Sequence, residues 1–333
     1  MYRVTGVSYD EIIDCFEIYA DLLLEHKAIG FEDPLYLTPE QQAEVMLRLF
    51  DFELCRNIQA TRGANVWLNN TNKHLSASGR MIEGGDPLDC MRGNWHADTV
   101  EDKRPISYLS MSMAEYDCPE GQGDTVLVNL EDLYKKCPYK EYLKNLSFAH
   151  PPRSGIGLDR DAEPQIHPAL RTHPVTGKTS LCISDGRILP VGAFKDALGS
   201  GWGAGFDPAG DIQGYGYMGS DEQLEFVKYM TWIHNQMNDP ENQQWFRWKE
   251  GNFLIWDNRC HIHSFSGWTG PRSFNRGLAG TDAVWYGGKR IMDIMEEESA
   301  IEVPEKDLIY IYDMLSSEDL AESRTRPGGG YED

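Results

Sequence analysis

The stretch Gly251-Asn-Phe-Leu-Ile-Trp-Asp-Asn-Arg-Cys-His-Ile-His263 begins as an apolar strand and ends in polar residues and two histidines. A second stretch, Asn94-Trp-His-Ala-Asp98, places a histidine and a carboxylate two residues apart. On an extended segment, side chains two apart project from the same face, so His96 and Asp98 can reach a common point. Together the two stretches predict strands that carry a cluster of metal-binding side chains.

Short strand-like segments recur through the chain and are separated by Gly, Pro, Asn and Asp. They lie at 106–113, 125–128, 180–184, 245–249, 253–257 and 276–285. A few helices flank them, and the pattern therefore predicts a mainly β protein with a double-stranded β-helix, the cupin-like jelly roll.

Three helices have clear start signals. Ser8-Tyr-Asp-Glu11 has the form of a capping box, and Pro39 can occupy the first position of a helix that runs to about residue 51. A third helix is predicted to begin at Ser220. Its apolar residues are spaced three and four apart and should share one buried face: Leu224, Val227, Met230, Ile233 and Met237.

Composition narrows the class of protein. The 333 residues include 41% hydrophobic residues, enough for a sizeable core, and carry a formal charge of -22. Such an acidic surface repels nucleic acid and anionic membranes, so neither is expected as a partner. The seven cysteines are scattered without a Cys-x-x-Cys pair, which argues against a disulfide framework or a structural zinc site. With no secretory signal visible, we expect a cytoplasmic location.

Two histidines and one carboxylate are the ligand set typical of non-haem iron sites that leave positions open for other ligands. A His-x-Asp pair alone arises often by chance, so the third ligand matters, and both His261 and His263 are candidates. A 2-oxo acid and dioxygen would fill the open positions. Arg272 and Arg276 follow on the next predicted strand, and an arginine fork suits the far carboxylate of such an acid.

Over roughly residues 25–285 the chain resembles the taurine dioxygenase / 2,4-dichlorophenoxyacetate dioxygenase family of iron- and 2-oxoglutarate-dependent oxygenases. The resemblance rests on the order and spacing of several motifs. They are Ala28-Ile-Gly-Phe31, Leu37-Thr-Pro-Glu-Gln41, Asn94-Trp-His-Ala-Asp98, Gly123-Asp-Thr125, His167-Pro-Ala-Leu-Arg-Thr-His-Pro-Val-Thr-Gly177, Phe246-Arg-Trp248 and Trp256-Asp-Asn-Arg259.

The resemblance assigns roles to individual residues. The family spacing Arg-x-x-x-His, counted from Arg259, selects His263 as the third metal ligand beside His96 and Asp98, and makes His261 a structural residue. Thr125 and Arg272 are implied to bind 2-oxoglutarate.

Arg276 matches the position that meets an anionic substrate group in taurine enzymes. A second contact to 2-oxoglutarate or a structural ion pair is an equal alternative. Arg92, four residues before His96, could add positive charge to the substrate pocket. His167 and His173 are expected to make hydrogen bonds within a turn.

The implied reaction uses Fe(II), 2-oxoglutarate and O2. It releases succinate and CO2 while an unactivated C–H bond of a small molecule is hydroxylated. Arg276 and Arg92 point to an anionic molecule. A carboxylate at Asp98 favours hydroxylation over halogenation, and desaturation stays open. Two alternatives remain from other classes. One is a hydrolase that binds zinc with the same three side chains, and the other is a non-catalytic jelly-roll binding protein.

We expect one dioxygenase domain over residues 1–285, with a loop-rich insert near 186–219 that covers the site. Within it, Gly214-Tyr-Gly-Tyr-Met-Gly219 has the form of a dinucleotide loop but lacks the preceding strand that such a loop requires. Residues 286–333 form an acidic C-terminal extension. This extension is expected to be a solvated surface helix, or else a lid or a subunit contact. A subunit contact would make the protein a homo-oligomer.

Overall fold

The computed structural model describes residues 1–56, 66–70, 86–92, 95–100, 105–144, 146–150, 153–154, 157–158, 165–184, 189–190, 221–279, 285–286 and 289–290. The described helices are α1 (Tyr9–Asp14), α2 (Phe16–His26), α3 (Pro39–Arg56), α4 (Pro87–Arg92), α5 (Leu130–Lys136), α6 (Lys140–Leu143) and α7 (Asp221–Asn238), with a 3-10 turn at Pro240–Asn242. The described strands are β1 (Tyr2–Val4), β2 (Ala28–Phe31), β3 (Val66–Asn70), β4 (Tyr108–Tyr116), β5 (Thr125–Asn129), β6 (Ser147–His150), β7 (Arg153–Ser154), β8 (Gly157–Leu158), β9 (Gln165–Pro168), β10 (Leu170–Thr172), β11 (Thr179–Leu181), β12 (Leu189–Pro190), β13 (Gln243–Phe246), β14 (Phe253–Asp257), β15 (His261–Phe265), β16 (Arg272–Ala279), β17 (Trp285–Tyr286) and β18 (Lys289–Arg290).

The larger sheet has six strands in the order β1-β2-β14-β4-β16-β3. The side chains of its central strand, β14, are buried on both faces of the sheet. Phe253 and Ile255 pack against the helices α1 to α3, while Leu254 and Trp256 face the other way. Because successive side chains of a strand point to opposite faces, the run of four apolar residues from Phe253 to Trp256 contributes to two cores.

The second sheet has three strands in the order β13-β5-β15. Val126 and Val128 of β5 pack in the core that also contains Ile233 of α7. Leu127, between them, faces the larger sheet and joins the cluster that contains Trp256. In the antiparallel pairing of β5 with β15, His263 lies opposite Leu127, so its side chain also faces the space between the sheets.

The two sheets therefore enclose a common apolar core, and the predicted double-stranded β-helix is confirmed. Further strands form a three-stranded sheet, β12-β6-β9, and the pairs β10-β11, β7-β8 and β17-β18.

No helix in the described part of the chain is both long and apolar enough to span a membrane.

The helix start signals are confirmed at the N-terminal helices. Ser8 caps α1 in a capping box with Glu11, and α3 begins at Pro39. The predicted first helix is interrupted at Cys15, so that two helices, α1 and α2, replace it. α3 continues to Arg56, five residues beyond the predicted end.

The predicted face of α7 is only partly correct. Met230, Ile233 and Met237 are buried as expected, but Leu224 is 52% exposed, and Phe226 and Tyr229 are buried with the others. The short helix α4 was not predicted from the sequence. The loop-rich insert, its Gly-rich motif and the C-terminal extension lie outside the described residues, apart from β12, Tyr286 and β18.

Candidate metal centre

His96 and His263 are joined through their main chains. The N–H of each donates to the C=O of the other, both at 2.9 Å, and the two form an isolated antiparallel bridge. Their rings lie 4.2 Å apart between centroids. A segment that follows α4 is thereby fixed to β15, although 167 positions separate the two histidines in the chain.

Asp98 completes the cluster. Its Oδ1 lies 3.5 Å from Nε2 of His96, and one donor atom from each of His96, Asp98 and His263 lies within 4.8 Å of the others. Ligand atoms that share one ion through bonds of about 2.1 Å must lie within roughly 4.2 Å of one another, so the donors need move little to share one ion.

All three side chains are buried, with 7%, 8% and 7% exposure for His96, Asp98 and His263. The donors are two imidazoles and one carboxylate, which is the set that suits Fe(II) with open coordination positions. The residues present therefore fit an iron ion in chemistry, spacing and burial, and the structure brings together the three ligands that the sequence predicts.

His261, the competing histidine, lies apart from this cluster. It is fully buried, and its Nδ1 is 3.4 Å from the carbonyl oxygen of Asp257. Burial lowers its pKa to about 3, so the ring is neutral at physiological pH. The geometry thus favours the structural role for His261.

Arg276 lies on β16 with its guanidinium against the cluster. Its Nη1 donates to Oδ2 of Asp98 at 3.2 Å. One carboxylate oxygen of Asp98 therefore lies beside His96, and the other accepts from the Arg276 guanidinium. The Nε of Arg276 is buried without a hydrogen-bond partner among the described residues, so this side chain keeps donors for a further anion.

Arg272 lies on the same face of β16 as Arg276, since the two are four residues apart and strand side chains alternate. Its guanidinium lies between the rings of Trp268 and Phe274, 4.9 Å from each centroid. Burial lowers its pKa to about 10, which still leaves it charged at neutral pH. In the described part of the chain it forms no ion pair with a carboxylate, and its Nε has no partner.

Asp124 is the carboxylate in the segment beside Arg272, but its oxygens are already bound. Oδ2 accepts from Arg247 at 2.6 Å, and Oδ1 accepts from the main-chain N–H of Trp248 at 3.0 Å. Gly123 has a φ of +67°, and a side chain there would meet the Arg272 side chain at 3.1 Å. Glycine thus lets this segment approach the guanidinium closely.

Thr125, next in the chain, is 2% exposed. Its Oγ1 accepts a hydrogen bond of 2.9 Å from the indole N–H of Trp248. A hydroxyl that accepts one bond can still donate its own proton to a ligand. Trp248 was not singled out as a site residue by the sequence, because its contact depends on the pairing of β13 with β5.

Arg92 ends α4 and is partly exposed. Its Nη1 lies 3.7 Å from Oδ2 of Asp86, and its carbonyl oxygen is 3.3 Å from a ring nitrogen of His234. Arg92 thus forms an ion pair at the surface with Asp86.

A buried ionic group supports the turn between β14 and β15. Asp257 accepts from Nε and Nη2 of Arg259 at 2.9 and 2.8 Å, and its Oδ2 lies 2.7 Å from Nε2 of His173. Burial alone would raise the pKa of Asp257, but Arg259 and His173 hold it well below its usual range. The Asp257 carboxylate is thus neutralised by Arg259, which opposes metal binding there even though Cys260 is close by.

His173 makes the predicted turn contacts, since its Nδ1 lies 3.1 Å from the main-chain nitrogens of Val175 and Thr176. The turn expected at His167 is wrong, because that residue lies in β9, with its ring 5.3 Å from that of His150.

Comparison with known proteins identifies the family of the chain. The family model described as taurine catabolism dioxygenase TauD, TfdA family matches residues 5–278. The chain belongs to this family. Membership confirms the expected family resemblance and the expected class, a 2-oxoglutarate-dependent dioxygenase.

The similar proteins differ in how much of the chain they share. The alkylsulfatase of Acinetobacter baylyi is 28% identical over 291 residues, covering 78% of this chain and 75% of that protein. The alpha-ketoglutarate-dependent sulfonate dioxygenase of Saccharomyces cerevisiae is 23% identical over 183 residues, and the match spans only 37% of its length. The crystal structure of a taurine dioxygenase from Burkholderia xenovorans superposes with a TM-score of 0.55 at 19% identity, covering 87% of this chain and 91% of that one, and so supports the fold.

Proposed function

We propose that the protein hydroxylates a small anionic molecule, with Fe(II) held by His96, Asp98 and His263. In the overall reaction a C–H bond of the substrate becomes C–OH, O2 supplies one oxygen atom to that product, and 2-oxoglutarate takes the other as it becomes succinate and CO2. When bound, the iron supplies the oxidising chemistry, and the protein supplies binding and orientation.

One observation carries the proposal. Arg272 is a partly buried cation whose Nε is fully buried, and it has no carboxylate partner in the described residues; it lies on the strand face that also carries Arg276 beside the metal cluster. Burying an uncompensated charge is unfavourable, so such a group is expected to pair with an anionic ligand. The distal carboxylate of 2-oxoglutarate is the anion that this position fits.

Thr125 and Trp248 support the same assignment. Trp248 donates to Thr125, which orients the hydroxyl so that its proton is available to a carboxylate oxygen. The rings of Trp268 and Phe274 both lie against the Arg272 guanidinium and cover part of its surface. A charge-assisted bond formed away from water is stronger than the same bond at the surface.

The substrate class is inferred as a sulfonate or a sulfate monoester. Two relatives carry names that refer to these groups, one as a sulfonate dioxygenase and one as an alkylsulfatase. Arg276 supports the inference, because its remaining donors lie beside Asp98, where a substrate must approach the metal. A guanidinium binds such oxyanions through paired N–H donors.

The intracellular location is part of the proposal. Among the described residues, five cysteines are free thiols: Cys15, Cys118, Cys137, Cys182 and Cys260. Free thiols suit a reducing compartment such as the cytoplasm.

The test is an anaerobic titration of the metal-free protein with Fe(II) and 2-oxoglutarate, monitored for a metal-to-ligand charge-transfer band. Oxygen is then admitted with an alkyl sulfonate, an alkyl sulfate or a matched alkyl carboxylate. We expect the band, and succinate formation that is fastest with one of the two sulfur oxyanions. A zinc hydrolase would show neither the band nor oxygen consumption.

A pair of variants separates the two histidines of β15. His263→Ala should abolish the band, because it removes a ligand. His261→Ala should keep it, because that ring lies outside the cluster. The reverse result would move the third ligand to His261.

A further inference from the structure

We propose that Asn258 is a positioning residue that holds Asp98 in place for the metal. The inference rests on the proposed function, since it assumes that Asp98 is a ligand. The side chain of Asn258 binds the main chain of Asp98 through both of its polar atoms.

The contact is two-sided. Nδ2 of Asn258 donates to the carbonyl oxygen of Asp98 at 2.9 Å, and Oδ1 accepts from the N–H of Asp98 at 3.3 Å. Nδ2 also lies 3.4 Å from the carbonyl oxygen of Ile106. Asn258 is 2% exposed, so these bonds form away from water, where an unpaired group would be costly. Both main-chain groups of Asp98 are thus bound by one side chain.

Asp98 needs such support because it lies outside the strands. His96 is paired with β15, but the chain turns immediately after Asp98. Thr99 has a φ of 55°, in the left-handed region that a β-branched residue rarely occupies. A strained turn persists only where its surroundings hold it. Asn258 holds the peptide groups before the turn, and Oγ1 of Thr99 accepts from the N–H of Ile106 after it.

Asn258 is itself fixed. Its N–H donates to the carbonyl oxygen of Ser107 at 2.8 Å, which ties it to the start of β4. It lies in the turn between β14 and β15, five residues before His263. The turn therefore leads into the strand that carries the third histidine, and its Asn258 side chain also binds the Asp98 segment. The main-chain bridge joins the two histidines. Hydrogen bonds thus connect the segments that carry all three predicted ligands.

If Asn258 positions Asp98, replacing Asn258 should weaken metal binding by more than the accompanying loss of folding stability can explain. Residues that orient metal ligands typically contribute about 10- to 100-fold to metal affinity. Replacing the amide by an apolar side chain of similar size removes both bonds and adds no charge near the metal. Asn258→Leu is therefore the informative variant, and Asn258→Ser is the milder one.

The chain offers a matched control at the other end of β14. Asn252 is 1% exposed, its Oδ1 accepts from the N–H of Lys249 at 2.7 Å, and its Nδ2 donates to the carbonyl oxygen of Glu32 at 2.6 Å. It thus makes the same kind of two-sided main-chain contact as Asn258. It lies about 20 Å along the strand from Asn258, because each strand residue advances the chain by about 3.3 Å.

The experiment titrates the metal-free full chain with Co(II) alone, following the visible absorption bands that report ligand geometry, and records thermal midpoints with a chelator present. We expect Asn258→Leu to bind Co(II) about 10- to 100-fold more weakly with altered bands. Asn252→Leu should lower the thermal midpoint similarly but bind Co(II) within about twofold of the wild type. If Asn258→Leu does not fold, the same comparison is made with Asn258→Ser and Asn252→Ser.

Equal Co(II) affinity and unchanged bands in the Asn258 variants would overturn the positioning role. Equal losses of affinity in the Asn252 and Asn258 variants would also overturn it, because general destabilisation would then explain both. Failure of the wild-type protein to bind Co(II) at all would instead refute the proposed metal site. The two proposals therefore fail in distinguishable ways.

Discussion

Arg272 and Arg276 lie on the same face of β16 but meet different partners. Arg276 bonds to Asp98, whereas Arg272 lies between two aromatic rings without a carboxylate in the described residues. About 13 Å separates their positions along the strand, since four residues each advance it by about 3.3 Å. We infer that Arg272 binds 2-oxoglutarate, while Arg276 binds both Asp98 and the substrate.

Arg272→Gln should weaken 2-oxoglutarate binding by about 30-fold or more, because losing one partner of a desolvated charge pair costs at least about 2 kcal/mol. Thr125→Val should have a smaller effect, about fivefold, since it removes one hydrogen bond worth about 1 kcal/mol. The measurement is a calorimetric titration with 2-oxoglutarate under anaerobic Fe(II). Arg48→Gln, which removes a surface pair with Glu44, is the control and should bind normally. Unchanged affinity in Arg272→Gln would show that the carboxylate binds elsewhere.

The choice between His261 and His263 shows what sequence alone leaves open at this scale. Both lie on one face of β15, so alternation cannot separate them. The deciding feature is the main-chain bridge between His96 and His263, which joins distant parts of the chain and has no local signal. Family spacing predicted the same histidine. Trp248 and Asn258 were not predicted as site residues, because their roles come from contacts formed only after folding.

At the scale of elements, α7 shows how a helical pattern can be shifted. Spacing of three and four predicted a face that begins at Leu224, but the stripe that packs against β5 and β15 includes Phe226 and Tyr229. Aromatic side chains bury a large area, and here they determine which face turns inward. The capping box at Ser8 was predictable because it depends on residues three apart. α4 was missed because its six residues are too few to show a period.

This shift is testable with one pair of variants in α7. Ile233 is fully buried in the core beneath the second sheet, whereas Leu224 is 52% exposed. Ile233→Ala should lower the free energy of unfolding by about 2–5 kcal/mol, because it leaves a cavity in a packed core. Leu224→Ala should change it by less than about 0.5 kcal/mol, since leucine and alanine have similar helix propensities. Urea unfolding followed by circular dichroism measures both. Comparable losses in the two variants would mean that the exposed residue packs against another part of the protein.

At the scale of the whole molecule, the interior holds several neutral histidines. Burial lowers the pKa of His173 to about 4, with a contribution from the Arg259 cation, and burial lowers that of His261 to about 3. Burial and the neighbouring His167 hold the pKa of His150 well below 6.5. The folded protein therefore keeps these rings uncharged at a pH where an unfolded chain would protonate them.

Acid should accordingly destabilise the protein. Above about pH 6.5 these histidines are neutral in both states and contribute no pH dependence. As pH falls below 6.5, the unfolded chain takes up protons that the folded protein excludes. The free energy of unfolding then falls by about 1.4 kcal/mol per pH unit for each such histidine, until the folded pKa near 4 or 3 is reached. Asp257 adds a further loss only below its ordinary pKa of about 3.9, because its folded pKa is lower still.

Urea unfolding at pH 7.5 and pH 5.0 measures this dependence, with a chelator present so that metal release does not contribute. The midpoint should be lower at pH 5.0 for the wild type. In His173→Gln the midpoints at the two pH values should differ less, because the unfolded variant takes up one proton fewer. His26→Gln is the matched control: that ring lies at the surface, stacked on Tyr2, and its removal should leave the difference unchanged. Equal wild-type midpoints at both pH values would mean that the interior admits protons to these histidines without unfolding.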